Sequence, residues 1–272
     1  MLDLSDRQNV FYWQTDRNLT SEDFNKIFLK RHETPIEELV KVLKNGIKST
    51  PVSSLEIIPI DENVVKGNVN IVRKVNINER QYVVRMHPKG VRNGYFYVEK
   101  VALSLAEEHN LPVPQVLEIH ESKNENDMDF MLMSAVSGVT MDVYLSKNKA
   151  DEENLLFNAG VVMAKLHKIQ VNGFGCFDNQ IAQKENRLIG LHKTNKEFML
   201  TALEENLQRL ITLSVSTPKQ VDDMRKIMDK YTFEPVEKPV IVHNDFADWN
   251  LLTDGKVITG IWIGMSVVEE IQ

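Results

Sequence analysis

Apolar and polar positions along the chain change period twice, and the changes divide it into three stretches. Over residues 1–50 the spacing is helical. Thr20-Ser21-Glu22-Asp23 reads as a helix start with Phe24, Ile27 and Phe28 on one face. Thr34-Pro35-Ile36-Glu37 is a second start, with Thr34 as N-cap, Pro35 at the first helical position and Glu37 closing a capping box; that helix runs to Asn45 and stops at Gly46. The cluster Phe11, Tyr12 and Trp13 packs this segment onto a neighbour. From Ser53 the period shortens to that of strands. Leu55 to Ile60, Val69 to Val75 and Gln81 to Met86 are β-rich runs separated by polar or Gly-containing turns, an antiparallel pattern. A helical stripe of Val98, Val101, Ala102 and Leu105 follows. Pro112 and Pro114 end that helix and lead into a strand, and after an acidic turn Phe130 to Met133 form another. The third stretch is mainly helical. Asp151 caps a helix carrying Leu155, Leu156, Ala159, Val162, Met163 and Leu166, and further amphipathic helices cover Phe198 to Ile211 and Pro218 to Tyr231.

These periods give an α+β architecture in three parts: a helical segment 1–50, a small sheet region 51–135 and a larger helical region 136–272. Composition adds exclusions. A net charge of −7 argues against a nucleic-acid-binding protein, which needs clustered Lys and Arg, and suits either simple solubility or a cationic substrate. With Cys176 as its one cysteine, the chain has neither an intramolecular disulfide nor a Cys-based zinc site. The N-terminus shows no basic-then-apolar leader and no run approaches the roughly 18 apolar residues of a membrane span, so a cytoplasmic protein is expected.

Candidate chemistry gathers in Val240-Ile241-Val242-His243-Asn244-Asp245-Phe246-Ala247-Asp248-Trp249-Asn250-Leu251-Leu252. Three apolar residues deliver a polar loop to a fixed place before the chain turns apolar again. Phosphoryl transfer needs a carboxylate beside the attacking hydroxyl and oxygen donors on the magnesium that neutralises the phosphates. Asp245 suits the first role and Asn250 the second, with His243 beside Asp245 among the catalytic candidates.

His243-x-Asp245-x-x-x-x-Asn250, followed by Leu251-Leu252 and a Gly255-Lys256 turn, resembles the catalytic loop of aminoglycoside phosphotransferases and choline-kinase-like enzymes, small-molecule relatives of protein kinases. Pro112-x-Pro114, Ala164-x-Leu166-His167 and Gly173-Phe174-Gly175 resemble the same family and occur in its order, so that the likeness spans residues 53–266. It implies a protein-kinase-like fold of two lobes, a small antiparallel-sheet lobe and a larger helical one, meeting near residue 135. It implies ATP or GTP as phosphoryl donor, Mg²⁺, and a small-molecule hydroxyl acceptor, an aminoglycoside among the candidates. Arg85 at a strand end would pair with Glu99 and hold the α- and β-phosphates; the best-known members carry Lys there, and an Arg fork still grips phosphate. The segment from Met133 through Ala135 would be the hinge whose backbone groups bind the base. Lys66 and Gly67 lie in the turn where the fold keeps its nucleotide-covering loop, a turn equally accounted for as hairpin chemistry. His167 is expected to be structural.

One part of the pattern is altered. Relatives carry a second, metal-bridging aspartate in Ile-Asp-Trp, whereas this chain reads Gly260-Ile261-Trp262-Ile263-Gly264. Asp248, Asp254, Glu269 and Glu270 are the carboxylates nearby in sequence; Asp254 suits a turn with Gly255, and Asp248 is the best substitute. Two functions therefore stay open: a small-molecule phosphotransferase, or a truncated or degenerate kinase-like protein that binds nucleotide weakly, or only a partner, and transfers nothing. A protein kinase fits less well, since Asp-Phe-Gly and Ala-Pro-Glu are absent.

Overall fold

The computed structural model describes residues 34–58, 71–87, 95–122, 127–201, 203–233 and 238–262, with the backbone of 266–268. The expectations for Phe11 to Phe28, for Lys66 and Gly67, and for Glu269 and Glu270 lie outside the described residues.

A five-stranded antiparallel sheet forms the first lobe, in the order β1 (Leu55–Ile57), β2 (Ile71–Ile77), β3 (Arg80–Met86), β5 (Phe130–Ser134), β4 (Val116–His120). The β2–β3 hairpin turns at Asn78 and Glu79, both at positive φ (50° and 68°), so that the turn follows the right-handed twist of its strands. The run Phe130-Met131-Leu132-Met133 is apolar throughout because β5 is covered on both faces. Phe130 and Leu132 join Leu39, Val42 and Leu43 of helix α1 (Ile36–Gly46) on one side. Met131 and Met133 join Val83 and helix α2 (Phe96–Glu108) on the other.

The chain leaves β5 through residues 134–138 and enters β6 (Val139–Thr140), which pairs with β10 (Leu251–Thr253). Gly138 makes the turn at φ 117°, where a Cβ would stand 2.7 Å from the Thr253 carbonyl oxygen, so the position takes only glycine. Helices α3 (Met141–Leu145), α4 (Glu152–Leu166), α5 (Asn179–Glu185), α6 (Asn195–Met199), α7 (Leu203–Thr212) and α8 (Pro218–Lys230) build the second lobe. It also holds a three-stranded sheet, β11 (Ile258–Ile261)–β10–β6, and a four-stranded one, β8 (Gly190–His192)–β7 (Phe174–Phe177)–β12 (Ser266–Val268)–β9 (Val240–Val242). Leu155, Leu166, Phe177, Ile241, Leu251 and Ile261 share one core with Val83, Met133 and α2, so apolar packing runs unbroken between the lobes.

Local boundaries differ from the expected ones for identifiable reasons. Pro35, not Thr34, holds the cap of α1: its extended ψ of 146° turns its carbonyl onto the N–H groups of Glu38 and Leu39, and no side-chain cap bond forms. Asp151 does not cap α4 with its carboxylate, which accepts the Tyr144 hydroxyl at 2.8 Å, and a 3₁₀ turn over Lys149–Asp151 precedes the helix. The helix expected over Phe198 to Ile211 is two. A capping box of Thr194 and Glu197 starts α6 earlier, and the Thr201 hydroxyl donates back to the Glu197 carbonyl where the helix ends. The first strand stops at Ile57 within the described residues.

No helix among the described residues is long and apolar enough to cross a membrane. Gly46 offers a test of the packing under α1. A methyl group there would press on the Phe130 ring, which stacks on His120 at 4.9 Å. Gly46→Ala is therefore expected to destabilise by about 1–3 kcal/mol despite the better helix propensity of alanine. Urea unfolding reads the sign, and a gain in stability contradicts this packing.

Candidate active site

The loop from His243 to Asn250 is held at both ends by core strands. Val240 and Ile241 are buried in β9, Ile241 donates its N–H to the Ile169 carbonyl, and Leu251 and Leu252 are buried in β10. Between them Asn244 sits at φ 60°, a left-handed residue that reverses the chain, and a 3₁₀ turn over Asp248–Asn250 returns it to β10.

Side chains then lock the loop to itself. The Asn250 amide Nδ2 donates to the Asp245 backbone oxygen at 2.8 Å and to its carboxylate Oδ2 at 2.9 Å. Asp245 is exposed, so its carboxylate is presented outward with one oxygen already oriented. His243 is 2% exposed. Its Nε2 lies 2.6 Å from the Trp262 carbonyl, and its Nδ1 faces the Asp245 N–H at 3.3 Å. A carbonyl only accepts and an N–H only donates, so the ring is neutral with its proton on Nε2. Both ring nitrogens are spent on backbone, and His243 therefore positions the loop from beneath. Trp262 completes the circuit by donating its N–H to the Asn250 carbonyl at 2.8 Å. Position 262 is thus stitched to the loop through both backbone groups. Nothing in the side-chain pattern marked this circuit, because Trp262 enters it through main-chain atoms.

In the first lobe, Arg85 lies on the same face of β3 as Val83 and so points at α2. Its Nη1 is 2.5 Å from Glu99 Oε2, with the two side chains 16% and 2% exposed. Burial pushes the Glu99 carboxyl upward, and the Arg85 guanidinium offsets part of that rise by charge and hydrogen bonding. Met133 is buried between Val83 and Val116 as a strand residue, which leaves its side chain in the core, and Ala135 packs half-buried after it.

Asp254 belongs to a turn. Its Oδ1 accepts from Lys256 and Val257 at 2.9 and 3.0 Å, bonds that hold the carboxyl below its usual range. Asp248 accepts from the Trp249 N–H at 3.0 Å. Among the described residues no group of three or more His, Cys, Asp or Glu side chains is placed to hold a metal ion. Beside the loop stand the Asp245 carboxylate and the Asn250 amide oxygen, which is free to face outward because the NH₂ group is given to Asp245. Such a set suits a magnesium ion that draws its remaining ligands from phosphate and water.

A small antiparallel-sheet lobe joined by one strand exit to a helical lobe, with this loop between core strands, defines a protein-kinase-like fold. Residues 63–261 match the phosphotransferase enzyme family, and the chain belongs to that family. No curated protein matches the chain. Among solved structures, aminoglycoside phosphotransferase APH(4)-Ia superposes with a TM-score of 0.63 at 19% identity, over 86% of this chain and 74% of that one. A thermostable mutant of the same enzyme, in a ternary complex with AMP-PNP and hygromycin B, gives 0.59 at 22%, over 85% and 72%. A putative aminoglycoside phosphotransferase from Ralstonia eutropha JMP134 gives 0.52 at 18%, over 86% and 66%. At these identities the likeness is one of fold.

The neutral His243 has a measurable consequence. Burial holds its imidazole below the usual range, with the Trp262 carbonyl and Asp245 offsetting part of the drop. Its stabilising contribution is therefore complete above the ordinary histidine pKa and is lost as pH falls from there through the lowered value, because the unfolded chain takes up the proton first. His243→Gln, which can still donate to the Trp262 carbonyl but does not titrate, is expected to lose less unfolding free energy between about pH 7 and pH 5 than the wild type. Parallel curves contradict the assignment.

Proposed function

We propose that this chain transfers the γ-phosphoryl group of ATP to a hydroxyl of a small molecule, an aminoglycoside being the acceptor class, in the cytoplasm. The observation that carries the reading is the exposed Asp245 carboxylate, oriented by Asn250 in a loop whose ends are buried strands. Asp245 orients the acceptor hydroxyl and takes its proton. Arg85, held by Glu99, draws the donor's phosphates into place, and the backbone from Met133 through Ala135 reads the base, where the two lobes divide near residue 135. Lys66 and Gly67 would cover the phosphates. Asn250 is the residue to hold Mg²⁺, which when bound neutralises phosphate charge. His243 keeps the loop in register from below. Catalysis on this scheme is mostly placement and charge neutralisation. A net charge of −7 favours a polycationic acceptor, and a family relative of this fold was crystallised with a nucleotide analogue and an aminoglycoside together.

A second reading, nucleotide binding without transfer, is favoured by Gly260-Ile261-Trp262, which lacks the metal-bridging aspartate that the family resemblance implies before the tryptophan. Mg²⁺-dependent ATP consumption over a panel of aminoglycosides and other polyols separates the two. The first reading expects acceptor-dependent turnover that Asp245→Ala lowers by about 10²–10⁴-fold. ATP binding with no turnover on any acceptor supports the second, and activity unchanged by Asp245→Ala overturns the assigned base.

A further inference from the structure

We propose that Tyr95 is a positioning residue that ties helix α2, and with it Glu99, to the second lobe, so that the Arg85–Glu99 pair is assembled before nucleotide arrives. The inference rests on the nucleotide role given above to that pair. Tyr95 stands at the cap of α2 and is 1% exposed. It acts on both sides of the lobe boundary. Its backbone carbonyl accepts the N–H of Glu99 at 3.1 Å, one helical turn on, so that the place of Tyr95 sets the place of the carboxylate. Its hydroxyl accepts the backbone N–H of Phe177 at 3.1 Å, across 82 residues of sequence and at the end of β7 in the other lobe. Burial keeps that hydroxyl protonated well above its usual range.

Two neighbouring features point the same way. Helix α2 packs directly on α5, which follows β7. Glu121 Oε2, just past β4, accepts both the Tyr97 hydroxyl at 3.3 Å and the Gln183 amide of α5 at 3.4 Å. The buried tie at Tyr95 is the shorter, and its loss leaves the Phe177 N–H in the interior without this acceptor. Helix α2 therefore cannot move away from Phe177 and the second lobe without breaking it, and its Glu99 is held at a fixed place for Arg85 to reach. A pair fixed in advance spends none of the binding free energy on ordering, which is the advantage of preorganisation.

Tyr95→Phe keeps the ring and removes the bond. In the full-length chain, this variant is expected to speed amide hydrogen exchange in Phe96–Glu108 and at Phe177 while leaving the β2–β3 hairpin unchanged. It is also expected to raise the dissociation constant of a non-hydrolysable ATP analogue roughly five- to tenfold, read by calorimetry. Because Tyr95 acts through Glu99, combining it with Glu99→Gln should weaken the analogue no further than Glu99→Gln alone. Unchanged exchange, or effects of the two substitutions that multiply, overturns the proposal. If the wild type does not bind the analogue, the nucleotide role of the site fails, while the exchange comparison still decides the tie. Should Tyr95→Phe not fold, the wild type alone decides: Phe177 and the first turn of α2 must open with the same protection, and a much faster Phe177 contradicts the tie.

Discussion

A carboxylate cannot be left bare in a protein interior, and Glu99, 2% exposed, is the point to which the first lobe answers. Its charge is carried only because Arg85 reaches it from β3, and Arg85 reaches it only because β3 presents that residue on the α2 face. The rest of the lobe supports this geometry. Strand β5, apolar on both faces, lies beside β3 and gives α2 a surface to pack on, while α1 closes the opposite face. Replacing such a pair with apolar residues can stabilise a fold. Its presence here is in keeping with the phosphate-positioning role proposed for it.

Much of this was legible in the order of residues. The strand of β3 and the helical stripe of α2 were readable from their periods, the Arg85–Glu99 pairing from the family resemblance, and the apolar run of β5 as a strand. The loop from His243 to Asn250 was readable because its flanks are apolar and its interior is not. Other features left no side-chain signal. The circuit through Trp262 uses its N–H and carbonyl, and the Tyr95–Phe177 bond joins a hydroxyl to a backbone amide far away in sequence. The four-stranded sheet of the second lobe is built from runs of three and four residues, too short for a period to show. The boundary of α6 was marked by Thr194-x-x-Glu197, a capping box hidden by the apolar residues that follow it.

The loop and position 262 form one hydrogen-bonded unit. The His243 imidazole and the Asn250 carbonyl hold that position against the loop through its own backbone groups, whatever its side chain. Among the described residues, the loop carries the Asp245 and Asp248 carboxylates and the Asn250 amide as oxygen donors. On the proposed function, Asp245 would orient the acceptor and the neutral Asn250 amide would meet the metal.

Phosphorus NMR of the purified chain with ATP, Mg²⁺ and an aminoglycoside tests the central claim most directly, because it follows the fate of the γ-phosphoryl group itself. The account predicts a new phosphomonoester resonance on the acceptor that grows in step with ADP. ATP that persists unchanged across the acceptor panel, or that yields only inorganic phosphate, would contradict it.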